Sequence, residues 1–215
     1  MKTKHAMYES LGFLLASLLI LAFPATASAL ETAKSPDITV LVFNFRQVPD
    51  KTLVKAENET RRILEQAGIH ATWRDCPTGN EPCQKGPGRV FILAVMAGPA
   101  QSKFMDTVSG YAVVPDQLAV VYYDDLPHIS GSNKGTSDTA QVLGCVIAHE
   151  LGHLLLGGRG HSVAGIMQAL WGVEQIQHAL MNQLFFLPEE ARLMQAIPTI
   201  PTEQPKENVS ALLAQ

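Results

Sequence analysis

Residues Thr139 to Leu156 read Thr-Ala-Gln-Val-Leu-Gly-Cys-Val-Ile-Ala-His-Glu-Leu-Gly-His-Leu-Leu-Leu, and this stretch decides the fold. It is strongly apolar, holds no proline, and closes on Gly157-Gly158-Arg159-Gly160. Those features predict a buried helix with a glycine stop. Within it stands His149-Glu150-Leu151-Gly152-His153. Residues four apart lie about 40° apart around a helix, so both imidazoles share one face. A single Zn²⁺ needs that arrangement from one helical turn. Glu150 stands beside them and can take a proton from a metal-bound water. Two core histidines next to a half-buried Glu would spell the same five letters, so the context has to decide.

A tetrahedral catalytic site takes three protein ligands and leaves the fourth position to water. The glycines at 157, 158 and 160 offer a sharp chain reversal through positive φ, and His161 follows at once. Met167, in Gly165-Ile166-Met167, comes six residues later in a short turn that can support the site from below. A rival third ligand is Glu174, 21 residues beyond His153 in Trp171-Gly172-Val173-Glu174-Gln175. Gluzincins take a Glu from a later helix in that way. His161 is the first choice. Trp171 itself is read as core packing.

Upstream, Asp37 to Phe45 is β-branched and aromatic, and predicts a buried strand. Lys51 to Ala67 carries apolar residues at helical spacing, and Gly68 ends it. Ile69 to Arg74 and Arg89 to Ala97 are two further strands. Tyr111 to Val114 and Ala119 to Tyr123 are two more, the latter ending in a solvated tip at Asp124 and Asp125. Pro127 to Ser137 reads as a polar loop. After the glycine stop the chain looks irregular until a helix over Pro188 to Ile197, with Pro188 at its first position and Glu189 and Glu190 in its first turn. The order implies an α/β fold: a mixed twisted sheet of about five strands with two helices packed behind it. Its first three elements suit a right-handed βαβ unit. A small C-terminal part follows, ending in a helix.

The ends and the cysteines place the chain in a compartment. Lys2 and Lys4, the apolar run Leu11 to Phe23 and the small residues Ala27 and Ala29 form a secretory signal peptide over residues 1–29. That run is shorter than the roughly 20 residues a spanning helix needs, so no stable membrane span is expected after cleavage. The protein is then secreted or periplasmic. Cys76 and Cys83 bracket a turn-rich stretch and would close a small disulfide loop in an oxidising compartment. Cys145, inside the apolar helix, is read as a buried free thiol. Residues 30–197 make a single domain, and 198–215, with three prolines, a loose tail. Across 215 residues, 16 Lys+Arg stand against 20 Asp+Glu, with a pI near 6.0. No basic surplus or charge run points to a nucleic-acid partner. Nothing in the sequence speaks to oligomeric state.

The block Val146 to Met167 resembles the metzincin clan of zinc peptidases, whose members pair H-E-x-x-H-x-x-G-x-x-H with a methionine turn under the metal. His161-Ser162 is similar to matrixins, in which Ser commonly follows the third histidine. The run H-E-x-G-H-L-L-L-G…H-S…G-I-M is similar to a group of predicted secreted bacterial proteins. The resemblance implies an α+β zincin fold, with an N-terminal subdomain over 37–157 and a C-terminal one over 158–197. It implies one catalytic Zn²⁺ held by His149, His153 and His161, Glu150 as general base, and Met167 as the Met-turn residue. It further implies a secreted zinc endopeptidase acting on peptides or proteins, its substrate strand lying antiparallel to an edge strand near Gly110 to Val114. Two departures stand out. Family spacing would put Gly at 156 and the third His at 159, where this chain has Leu156 and Arg159. The tyrosine that some relatives carry two residues after the methionine is Ala169, so no fifth ligand is expected. A second expectation is a zinc-stabilised binding or structural module with little turnover. The presence of Glu150 favours the enzyme, because structural zinc needs no base.

Overall fold

The computed structural model describes residues 37–79, 81–98, 109–126 and 136–196. The signal peptide, the tail from 198 and most of the loop expected over 127–137 lie outside them. Strand β1 (Asp37–Asn44) is buried on both faces over its six central residues. Such double burial belongs to a strand inside a parallel sheet, and a near-continuous apolar run supplies it. β1 pairs in parallel with β2 (His70–Cys76) on one side and β3 (Arg89–Met96) on the other. Helix α1 (Asp50–Gln66) makes the crossover from β1 to β2 that parallel pairing requires. β5 (Leu118–Tyr122) continues the parallel set beside β3, and β4 (Gly110–Val113) closes the sheet antiparallel to β5. The order β2-β1-β3-β5-β4 is a mixed five-strand sheet with β4 at one edge.

One face of α1 buries Leu53, Ala56, Thr60, Ile63 and Leu64. Helix α2 (Thr136–Leu155) carries the His-Glu motif, and every residue from 142 to 152 along it is buried. It is apolar all round because it is covered on both sides, by α1 and by the sheet. The Thr60 hydroxyl lies 2.9 Å from the carbonyls of both Ala56 and Gly144, and the second of these contacts ties the two helices together. Phe91, Leu93, Val121, Leu143, Ile147 and Leu151 fill the space between sheet and helices. Each such side chain, fully buried, stabilises the fold by about 1.5–3 kcal/mol. A smaller apolar layer, including Leu41, Phe43, Ile92 and Val120, covers the other face of the sheet. There Cys76 and Cys83 are joined in a disulfide, with Cα atoms 5.3 Å apart. Cys145 is free and buried.

Two elements differ from the sequence reading. The stretch taken as irregular holds helix α3 (Val173–Leu180), which buries Ile176 and Ala179. Its start is capped by the Gln175 side chain, which accepts the Gly172 N–H at 2.9 Å. The tip after β5 winds into a 3₁₀ turn, Tyr123–Asp125, and Asp125 is buried rather than solvated. Helix α4 (Pro188–Gln195) begins on its proline as expected. It buries Met194 in the main core and donates from Gln195 Nε2 to the Ala67 carbonyl, just past the end of α1, at 2.8 Å. Among the described residues no helix is long and apolar enough to cross a membrane.

Candidate metal centre

The last turns of α2 carry His149 and His153, and the way the helix stops brings in the third histidine. The Gly158 N–H donates to the His153 carbonyl at 2.9 Å and the Gly157 N–H to Leu154 at 3.3 Å. Gly157 has φ +67°, the left-handed conformation that this paired stop requires and that glycine adopts freely. The chain reverses through the exposed residues 157–160 and returns at His161. Such a loop absorbs the two-residue lag relative to the metzincin spacing.

The structure gathers His149, His153 and His161, each offering one nitrogen, with those atoms all within 4.8 Å of one another. The Nε2 atoms of His149 and His153 face each other at 3.1 Å. The His161 ring lies 5.4 Å from that of His149 and 4.8 Å from that of His153. His149 Nδ1 lies 2.6 Å from the Ile166 carbonyl, and His153 Nδ1 lies 3.4 Å from that of Arg159. A carbonyl only accepts, so each Nδ1 carries the proton and each Nε2 keeps its lone pair for the centre of the group. Burial drives the pKa of His149 down to about 4, opposed by the Ile166 bond and reinforced by the neighbouring histidines. Burial, and then His161, lowers that of His153. Two neutral imidazoles whose lone pairs meet at 3.1 Å repel each other unless a cation stands between them. The donor set therefore fits a zinc ion, which favours neutral imidazole nitrogen.

Glu150 is buried under the start of β4, where a Cβ placed on Gly110 would lie 2.9 Å from its Oε1. Its Oε2 has no hydrogen-bond partner among the described residues. An orphaned buried oxygen costs about 1–3 kcal/mol. Burial alone raises the pKa of this carboxyl to about 8; a zinc ion on the histidines would draw it back toward the carboxylate form that a general base needs. Met167 is fully buried, its sulfur resting on the bare backbone of Gly152, where a Cβ would come within 2.5 Å of Sδ. Trp171 packs against the core, as expected, and also sets its ring edge-on to His149 at 5.9 Å. Glu174 is exposed on α3 and is not part of the histidine group.

The sequence reading passed over two kinds of support. One is the pair of backbone carbonyls, Ile166 and Arg159, which no side-chain pattern reveals. The other is Glu190, a buried acid on α4 that accepts the Ser162 hydroxyl and, through its other oxygen, the Leu187 N–H at 2.7 Å. The only hints of it in the sequence are a Ser directly after His161 and a Glu in a helix's first turn.

No family model matches the chain, and no curated protein matches it significantly. Among solved structures it is similar to a zinc-dependent peptidase from Methanocorpusculum labreanum, with a TM-score of 0.53 and 17% identity, over 73% of this chain and 99% of that one. An archaemetzincin from Methanopyrus kandleri aligns at TM-score 0.44 and 17% identity, over 75% of this chain and 94% of its own. Another, from Archaeoglobus fulgidus, aligns at TM-score 0.46 and 16% identity, over 73% and 99%. What this chain shares with the Methanocorpusculum peptidase is its fold: a mixed five-strand sheet backed by helices.

Proposed function

We propose that this protein is a zinc-dependent endopeptidase of metzincin type, exported through its N-terminal leader, that hydrolyses peptide bonds in peptides or proteins. The observation that carries this reading is the convergence of three histidine nitrogens beside a buried carboxylate with an unpartnered oxygen. His149, His153 and His161 are the ligands, and Met167 is the seat beneath them. The sequence His161-Ser162 with Gly165-Ile166-Met167 supports a matrixin-like variant of the clan.

When bound, zinc supplies Lewis acidity, polarising the scissile carbonyl and lowering the pKa of water toward ~7. Glu150 accepts the proton of the attacking water and passes it to the leaving amine. Because Glu150 Oε2 has no partner to give up, taking that proton breaks no existing hydrogen bond. β4, the edge strand above Glu150, offers an extended substrate an antiparallel partner, so that main-chain hydrogen bonds align the scissile bond.

The test is a mass-spectrometric cleavage profile of a mixed peptide library, comparing the zinc-loaded protein with Glu150→Ala at matched metal content. Cuts made by the first and lost in the second, a drop of about 10²–10⁴ in turnover, are the expected result. Cuts that persist in Glu150→Ala refute the mechanism. No cuts by either, with one zinc per chain, turn the assignment to a zinc-stabilised binding module.

A further inference from the structure

His149 and His153 are fixed by the helix that carries them, but His161 stands on an exposed loop after three glycines. Something must set its position. The next residue, Ser162, is held by a backbone bridge and by its side chain. Its N–H donates to the Met167 carbonyl at 2.8 Å, it forms an isolated bridge with Gln168, and its hydroxyl donates to Glu190. The backbone bridge ties it to Met167, which is itself buried in the core. The hydroxyl bond ties it to a separate helix.

Glu190 is well placed to act as that anchor. It is 6% exposed, and an acid so buried is costly unless its oxygens are satisfied. Oε1 accepts from Ser162, and Oε2 accepts from Leu187 at the start of α4. Helix α4 is in turn held by Gln195, which donates to the Ala67 carbonyl just past the end of α1, and by Met194, buried in the main core. A continuous path therefore runs from the core helices through Glu190 and Ser162 to the residue beside the third histidine. Capping α4 alone would be served as well by an exposed Glu; burying the carboxylate toward Ser162 serves the loop.

We infer that Glu190 is a positioning residue for the metal centre: through Ser162 it holds His161 in place and so sets the affinity for zinc. The inference rests on the proposal that the three histidines bind zinc. Outer partners that orient ligands are worth about 10–100-fold in metal affinity.

The experiment measures zinc dissociation constants of the full chain by competition with a chromophoric chelator, with Co²⁺ absorption spectra as a second readout. Wild type is compared with Ser162→Ala, Glu190→Ala and Glu190→Gln, and melting curves report folding. Ser162→Ala and Glu190→Ala should each weaken zinc about 10–100-fold and alter the Co²⁺ bands. The double variant should be little weaker than Glu190→Ala alone, because both remove one link. Glu190→Gln should stay within about threefold of wild type, since its amide can accept from Leu187 and donate to the Ser162 oxygen. If Glu190→Ala fails to fold, Ser162→Ala decides, because it leaves the α4 cap intact. Folded alanine variants that bind zinc as wild type does overturn the inference and leave the zinc reading standing. A wild type that binds no zinc overturns the reading on which the inference rests.

Discussion

The segment up to Leu156 and the segment from Gly157 to Ala196 share one apolar core but differ in how much regular structure frames it. Among the described residues the first has five strands, two long helices and a 3₁₀ turn, and its cohesion is apolar area: Ile63, Phe91, Leu93, Ile147 and Leu151 are almost wholly withdrawn from water. The second has two eight-residue helices and one isolated bridge. It too sends side chains into the main core, Ile166, Met167 and Met194 among them, and adds separate polar contacts: His149 to Ile166, Ile166 to Phe185, Ser162 to Glu190 and Gln195 to Ala67. Arg62, paired with the buried Glu59, adds its guanidinium 4.7 Å above the Phe185 ring. The contrast teaches a division of labour. Burial, to which both segments contribute, decides whether the chain folds, and the directional contacts of the second are the ones proposed to place His161.

The comparison is most sharply stressed in the sheet. Phe91 is fully buried at the centre of the main core, so Phe91→Ala should cost about 3–5 kcal/mol in denaturant unfolding. The molecules that remain folded should bind zinc as wild type does. A variant that lost zinc affinity without losing stability would erase the distinction between the two segments.

A smaller effect comes from Glu57, on α1. Burial first, and then Asp75, raises its pKa from 4.5 to about 7, with Arg61 opposing. The folded state therefore holds this proton more tightly than the unfolded chain does. Below about pH 4.5 the group is protonated in both states and costs nothing; between there and about pH 7 the unfolded state loses the proton first. Stability should fall across that window by on the order of 2 kcal/mol, less than the full shift implies because water partly screens the group. Glu57→Gln should flatten this part of the pH–stability curve and raise the melting temperature at pH 8. An unchanged curve would remove Glu57 from the account.

How far the sequence disclosed all this follows the same division. The strands and both long helices announce themselves by apolar runs and helical spacing, because burial needs many residues of one kind in order. His149, Glu150 and His153 are legible for a related reason, since a helix converts a spacing of four into a shared face. His161 could be guessed from the glycines before it. Glu190 could not, because its bond to Ser162 joins residues 28 apart through a single side chain, and in sequence it reads only as favourable charge at a helix start. Helix α3 was hidden because eight residues with two buried side chains leave too little pattern. Asp125 was misread because nothing local tells a buried acid from a solvated one.

The central claim is that one zinc ion is held by His149, His153 and His161. Its most direct test is the zinc content and affinity of purified, folded His161→Ala against Glu174→Ala, with wild type alongside. The account expects one zinc per chain in wild type and in Glu174→Ala, and loss of tight binding in His161→Ala. Full zinc in His161→Ala, with loss in Glu174→Ala, would contradict it.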